Sequence, residues 1–106
     1  MRLPLPSPVI RALARLGEDV SRARRRRHLS QASFAERSGM SVATLKRLER
    51  GDPRVGLEQL ARALHVLGEL ERLERLLDTS EDAVGLVLMD ERLPKRVRRK
   101  PGSGAL

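Results

Sequence analysis

The sequence predicts an all-α fold, a bundle of about five short helices, and three observations predict it. The 106 residues are 40% hydrophobic, yet only one, Phe34, is aromatic. A core built from Leu, Ala and Val favours helices, because strands draw on aromatic and β-branched residues. Apolar residues recur at helical spacing through most of the chain, and Ser, Gly and Pro fall at the breaks between those runs.

The chain opens with Met1 to Pro8, which carries three prolines and reads as an extended lead-in. Ser7-Pro8 then has the form of an N-cap followed by Pro at the first helical position. Val9, Leu13, Leu16, Val20 and Ala23 share one helical face, predicting a first helix to about Arg27. Its basic end, Arg22 to Arg27, suits the negative end of the helix dipole.

Ser30 caps a short second helix over Gln31 to Arg37, which Ser38-Gly39 interrupts. Ser41 caps a third, Val42 to Arg50, with Leu45 and Leu48 inward, Gly51 just past its end and Pro53 preventing its resumption. Leu57, Leu60, Ala61, Leu64 and Leu67 form the next helical face, closed at Gly68. Glu69 to Leu77 follows, with Leu70, Leu73, Leu76 and Leu77 on one side.

Asp78 to Asp82 is a polar break. In Ala83 to Met89, Val84, Leu86 and Leu88 alternate as in a strand, while Asp82 is equally placed to cap a short helix, and both readings stand. Lys95 to Lys100 is almost wholly basic, and the small-residue end reads as a disordered tail. The expected organisation is therefore a lead-in over 1–8, a helical domain over 9–77, an extension over 78–94 and a basic tail over 95–106.

The formal net charge is +8, with 22 Lys and Arg against 14 Asp and Glu, which favours an anionic partner such as nucleic acid. There are no cysteines, so disulfide scaffolds and cysteine-based metal sites or nucleophiles are excluded. No apolar run approaches the roughly 18 residues of a membrane span, and Met1 to Pro8 lacks the parts of a signal peptide. A cytoplasmic protein without a membrane role is expected. His28 and His65 have no His or Cys companions at metal-ligand spacing, and no phosphate-cradling glycine loop or catalytic triad is visible. No catalytic residue, metal or cofactor is expected.

Ser30 to Gly51 is the informative stretch. Two short helices joined at Gly39 must cross steeply, with small Ala35 at the closest approach and Leu45 and Leu48 anchoring the second helix. That geometry presents the start of the second helix to a DNA major groove. The pattern LSQxxxAExxGxSxxTLxxLExG, met by Leu29, Ser30, Gln31, Ala35, Gly39, Ser41, Leu45, Glu49 and Gly51, resembles the helix-turn-helix of Xre/Cro-type repressors.

This resemblance implies a five-helix, lambda-repressor-like domain with a short C-terminal extension. It implies that Gln31 contacts a phosphate, and that Ser41, Val42, Ala43, Thr44 and Arg47 belong to the DNA-contacting face. It also implies a structural pair between Arg24 and Glu49. Arg47 can pair bidentately with guanine, and the Thr44 methyl can touch thymine. Lys46 and Arg50 are better placed for phosphates. Val42 and Ala43 offer no polar groups, so readout is expected to lean on Arg47 and DNA shape.

The two ends, RLPLPSPVIRALARLGEDVSRARRRR and DAVGLVLMDERLPKRVRRK, resemble HipB-like antitoxins encoded beside HipA-type kinases. Pro6, Pro8, Gly17, Asp19, Gly85, Leu93 and Pro94 carry the resemblance. It implies an autorepressor that also neutralises a HipA-like serine/threonine kinase toxin. Leu70, Leu73, Leu77, Val84, Leu86 and Leu88 exceed the needs of a minimal core and are expected at a dimer or partner interface. A two-fold homodimer would set two reading helices about 34 Å apart over a palindromic operator. The alternatives are a stand-alone regulator of the same fold, and a protein-interaction adaptor without DNA binding.

Overall fold

The structure is a computed structural model and describes residues 3–78 and 88–93. Every regular element among them is helical: α1 (Ser7–Arg26), α2 (Gln31–Ser38), α3 (Val42–Glu49), α4 (Leu57–Leu67) and α5 (Leu70–Glu74). The chain divides into two compact units, Met1–Leu76 and Leu77–Leu106. The five helices make up the first.

The core is small and closes around α2 and α3. Phe34 and Leu45 are completely enclosed, and Val20, Ala35, Leu48, Ala63 and Leu67 complete the buried set. Phe34, the single aromatic, is with Leu45 the largest of the fully buried side chains. Leu16, Ala23, Leu29, Met40, Val55, Leu60 and Val66 pack around it half-buried.

Helix ends follow local chemistry. Ser30 Oγ accepts from Ser33 N–H at 3.0 Å, and Ser41 Oγ from Thr44 N–H at 3.0 Å, so both inner helices are capped by their preceding serine. At the other end of α2, Gly39 adopts a left-handed φ of 70°. Its N–H donates to Glu36 O at 3.1 Å and Met40 N–H donates to Ala35 O at 3.0 Å, a Schellman closure. The same pair of bonds closes α3 around Gly51, with Gly51 N–H on Leu48 O and Asp52 N–H on Arg47 O, each at 3.0 Å.

Four expectations are corrected. Ser7 is not the cap of α1. Pro6 is, because its carbonyl accepts from Val9 and Ile10 N–H at 3.0 and 3.2 Å, which starts the helix one residue earlier. Val9, expected on the inner face of α1, is 40% exposed, lying about two turns ahead of the first core contact at Leu16. Leu57 is 78% exposed rather than inward, since it is the first residue of α4 and the packed face of that helix begins at Leu60. Glu69 to Leu77 is not one amphipathic helix. It stops at Glu74 in a turn, and Leu76 and Leu77, 70% and 93% exposed, share no helical face with Leu70 and Leu73.

In the second unit, residues 88–91 form one helical turn, with Arg92 N–H on Met89 O and Leu93 N–H on Asp90 O, both at 3.0 Å. Leu88 in this turn is 52% exposed. Val84, Leu86 and the basic tail lie outside the described residues; of Ala83 to Met89, left open between strand and helix, Leu88 and Met89 are helical and the rest lie outside the described residues.

Candidate nucleic-acid interface

The interface is built around α3, an eight-residue helix too short to be stable alone. It is held from behind in two ways. The first is a near backbone-to-backbone contact with α1. A Cβ on Gly17 would lie 2.5 Å from Leu48 O and 2.7 Å from both Glu49 O and Gly51 N. A Cβ on Gly51 would lie 2.5 Å from Leu13 O. The two glycines face one another's helices, and the last turn of α3 rests directly on the middle of α1.

The second is a polar knot at the same end. Arg24 Nε donates to Glu49 Oε2 at 2.7 Å and its Nη2 to Glu49 Oε1 at 3.1 Å, a bidentate pair. The third guanidinium nitrogen, Nη1, donates to Leu29 O at 2.8 Å, so it is committed too. Gln31 Nε2 adds a bond to Glu49 Oε1 at 3.0 Å. With the Arg24 and Glu49 side chains only 10% and 7% exposed, these bonds replace the water both charges give up on burial. One carboxylate thereby joins α1, the start of α2 and the end of α3.

The outward side of α3 has the opposite character. Ser41, Val42, Ala43, Lys46, Arg47 and Arg50 are exposed and Thr44 is half-buried. Thr44 Oγ1 accepts from Ser41 Oγ at 3.0 Å and from Arg47 Nη2 at 3.1 Å, so Ser41, Thr44 and Arg47 form a polar row. Among the described residues, Lys46, Arg47 and Arg50 form no ion pair, although seven other arginines do. Val42 and Ala43, at the start of the helix, are small and exposed. A helix with side chains is about 10–12 Å across and the major groove about 12 Å wide.

Just beyond α3, Asp52 is held by Arg54. The guanidinium donates to its carboxylate at 3.0 and 3.1 Å, and Arg54 N–H donates to Oδ1 at 2.9 Å. These bonds, the side-chain ones foremost, lower the Asp52 pKa from an ordinary 3.8 to about 2, and they raise that of Arg54. The loop after the reading helix is thus closed by its own ion pair.

Sequence reasoning did not find the packing role of Gly17, the bond from Gln31 to Glu49, or the Asp52–Arg54 pair. An isolated glycine inside a helical run was the available signal for the first. A short-range Asp-x-Arg spacing was the signal for the last. Leu70 and Leu73 are half-buried against the bundle, whereas Leu77 is open.

A short helix pair with a left-handed glycine turn, an anchored second helix and a cationic outer face together define a helix-turn-helix DNA-binding domain. A helix-turn-helix family profile matches residues 20–74, just over half of the 106-residue chain, and the chain belongs to this family, the Xre-type regulators. No curated protein and no solved structure matches it. No described helix is long and apolar enough to cross a membrane.

Proposed function

We propose that the protein is a sequence-specific repressor that binds a palindromic operator as a homodimer and serves as the antitoxin of a HipA-like serine/threonine kinase, repressing its own operon. The observation that carries the DNA part is the contrast across α3. Its inner end is fixed by the Arg24–Glu49–Gln31 knot, while Lys46, Arg47 and Arg50 are exposed and form no ion pair among the described residues.

In this reading Arg47 and Thr44 read base edges, with Ser41, Val42 and Ala43 at the groove floor. Lys46, Arg50 and Gln31 touch phosphates. Arg47 leaves only one exposed hydrogen bond to Thr44 when it turns toward a guanine. Of the described leucines expected at a dimer contact, Leu77 and Leu88 have the most surface to offer a second copy. The antitoxin assignment rests on the resemblance of the chain ends to HipB-like proteins.

Binding-site selection on random duplexes, followed by anisotropy titration of the selected site, tests the reading. Arg47→Ala should cost about 1–3 kcal/mol on the selected site and relax preference at one position. Log affinity should fall linearly with log salt, by about 0.9 per phosphate neutralised. Equal binding to all duplexes by the native chain and Arg47→Ala would overturn it. Light scattering that shows only monomer with operator bound removes the dimer. Failure of a co-expressed HipA-type kinase to co-purify removes the antitoxin role.

A further inference from the structure

A groove of about 420 Å³ runs between α1, α4 and α5, within the size range of built ligand sites. None of its lining residues comes from α2 or α3, so it lies apart from the DNA-reading face. Its walls are aliphatic: Leu16 on α1, Leu60 and Leu64 on α4, Leu73 on α5 and Leu76 beyond it. The first four are half-buried and Leu76 is 70% exposed, so the apolar surface is open to a partner.

The charge at the rim decides what that partner is. Its carboxylates are committed, Asp19 to Arg15 at 3.7 Å and Glu69 to Arg72 at 3.0 Å. Arg22, also at the rim, is paired with Glu18 at 2.6 Å. Arg26 forms no ion pair among the described residues. Arg27 donates only to main-chain carbonyls, Ala23 O at 2.7 Å and Leu67 O at 2.8 Å, so its positive charge is oriented but not neutralised. The surplus at the rim is cationic.

We propose that this groove docks an acidic amphipathic helix of a partner protein, with apolar anchors at i, i+3/i+4 and i+7 between the leucines and carboxylates over Arg26 and Arg27. DNA does not fit an aliphatic floor. A second copy related by a two-fold axis through the groove would bring the same arginines against each other, which disfavours self-pairing there. The assignment goes beyond the repressor reading and does not depend on it.

The test uses the 106-residue chain and fluorescein-labelled synthetic helices about four turns long. One carries a leucine stripe flanked by Glu. A second has the same stripe flanked by Lys, and a third has Glu with Ser in place of Leu. Anisotropy should show the first binding at least about tenfold more tightly than either control, a difference of about 1.4 kcal/mol. Leu76→Ser, at an exposed position, should weaken it while leaving operator affinity unchanged. Arg26→Glu, at the rim arginine that forms no ion pair among the described residues, should also weaken it at unchanged helicity.

Three results would overturn the proposal. One is equal binding of the leucine-free acidic peptide, which would reflect bulk charge alone. Another is methyl shifts confined to Val42, Leu45 and Leu48 of α3. The third is nuclear Overhauser contacts showing that residues of this chain, from the same or a second copy, already fill the groove.

Discussion

Replacing Gly17 with alanine asks whether the reading helix is held by close backbone approach. The added Cβ would sit 2.5 Å from Leu48 O and needs roughly 0.9 Å more to reach ordinary contact at 3.4 Å. All three nearest atoms are backbone, so no flexible side chain can move aside. Either α1 lifts off α3 or the last turn of α3 distorts. Overpacking of this kind costs about 1–3 kcal/mol, and backbone neighbours place it at the upper end. Alanine returns about 1 kcal/mol through its better helix propensity. The net expectation is a loss of about 2 kcal/mol, equivalent to a fall in Tm of roughly 8–16 °C for a domain of this size. Thermal and urea unfolding followed by circular dichroism would measure it. A variant with Tm equal to or above that of the native chain would refute the close approach, because helix propensity would then be the only effect acting.

Three further substitutions probe other contacts. Glu49→Gln leaves the Arg24 guanidinium buried without its counter-charge and should cost about 3 kcal/mol, seen as a lower urea midpoint at unchanged slope; a loss under about 1 kcal/mol would mean the pair is solvated. Ser38 is 2% exposed and its hydroxyl finds no partner among the described residues, so Ser38→Ala should stabilise the fold by about 1 kcal/mol. Destabilisation of that size would reveal a partner for the hydroxyl. Asp52 titrates lower in the folded chain than unfolded, so its contribution is complete above pH 3.8 and is lost as the pH falls toward about 2. Asp52→Asn should flatten the stability profile in that window, and identical acid slopes for the two proteins would contradict the pairing.

Where the fold was legible, the signal was local. Ser30, Ser41, Gly39 and Gly51 each mark a helix end through a bond to a residue within a few positions, and the structure places ends at all four. Leu45 and Leu48 declared the inner face of α3 by spacing alone. The illegible parts were non-local. Gly17 lies mid-helix, and nothing in its neighbourhood in sequence says that Gly51 comes against the same stretch of α1. The leucines from Leu70 to Leu77 keep a helical period past the point where α5 stops, because periodicity records what could be buried and not what is. For the outer face of α3, the pattern located the residues. It did not show that Thr44 ties Ser41 to Arg47.

These contacts divide α3 by consequence. Its stability comes from the inner side, through Leu45, Leu48, Glu49 and the Gly17 contact. The cations on the outer side contribute nothing comparable, so Arg47→Ala should change DNA affinity at nearly constant Tm. In the proposed function Gln31 serves both sides: one amide hydrogen is spent on Glu49 at 3.0 Å, and the other is left for the proposed phosphate contact. Gln31→Ala should therefore lower stability by about 1.5–3 kcal/mol, the worth of a hydrogen bond to a charged group, and also weaken binding. Gln31→Glu separates the two roles. It places a carboxylate beside Glu49 and against the proposed phosphate, so it should lose more operator affinity than Gln31→Ala at low salt. If the two variants bind equally at matched folded fraction, Gln31 acts only by holding Glu49, and the phosphate contact must be given to another residue.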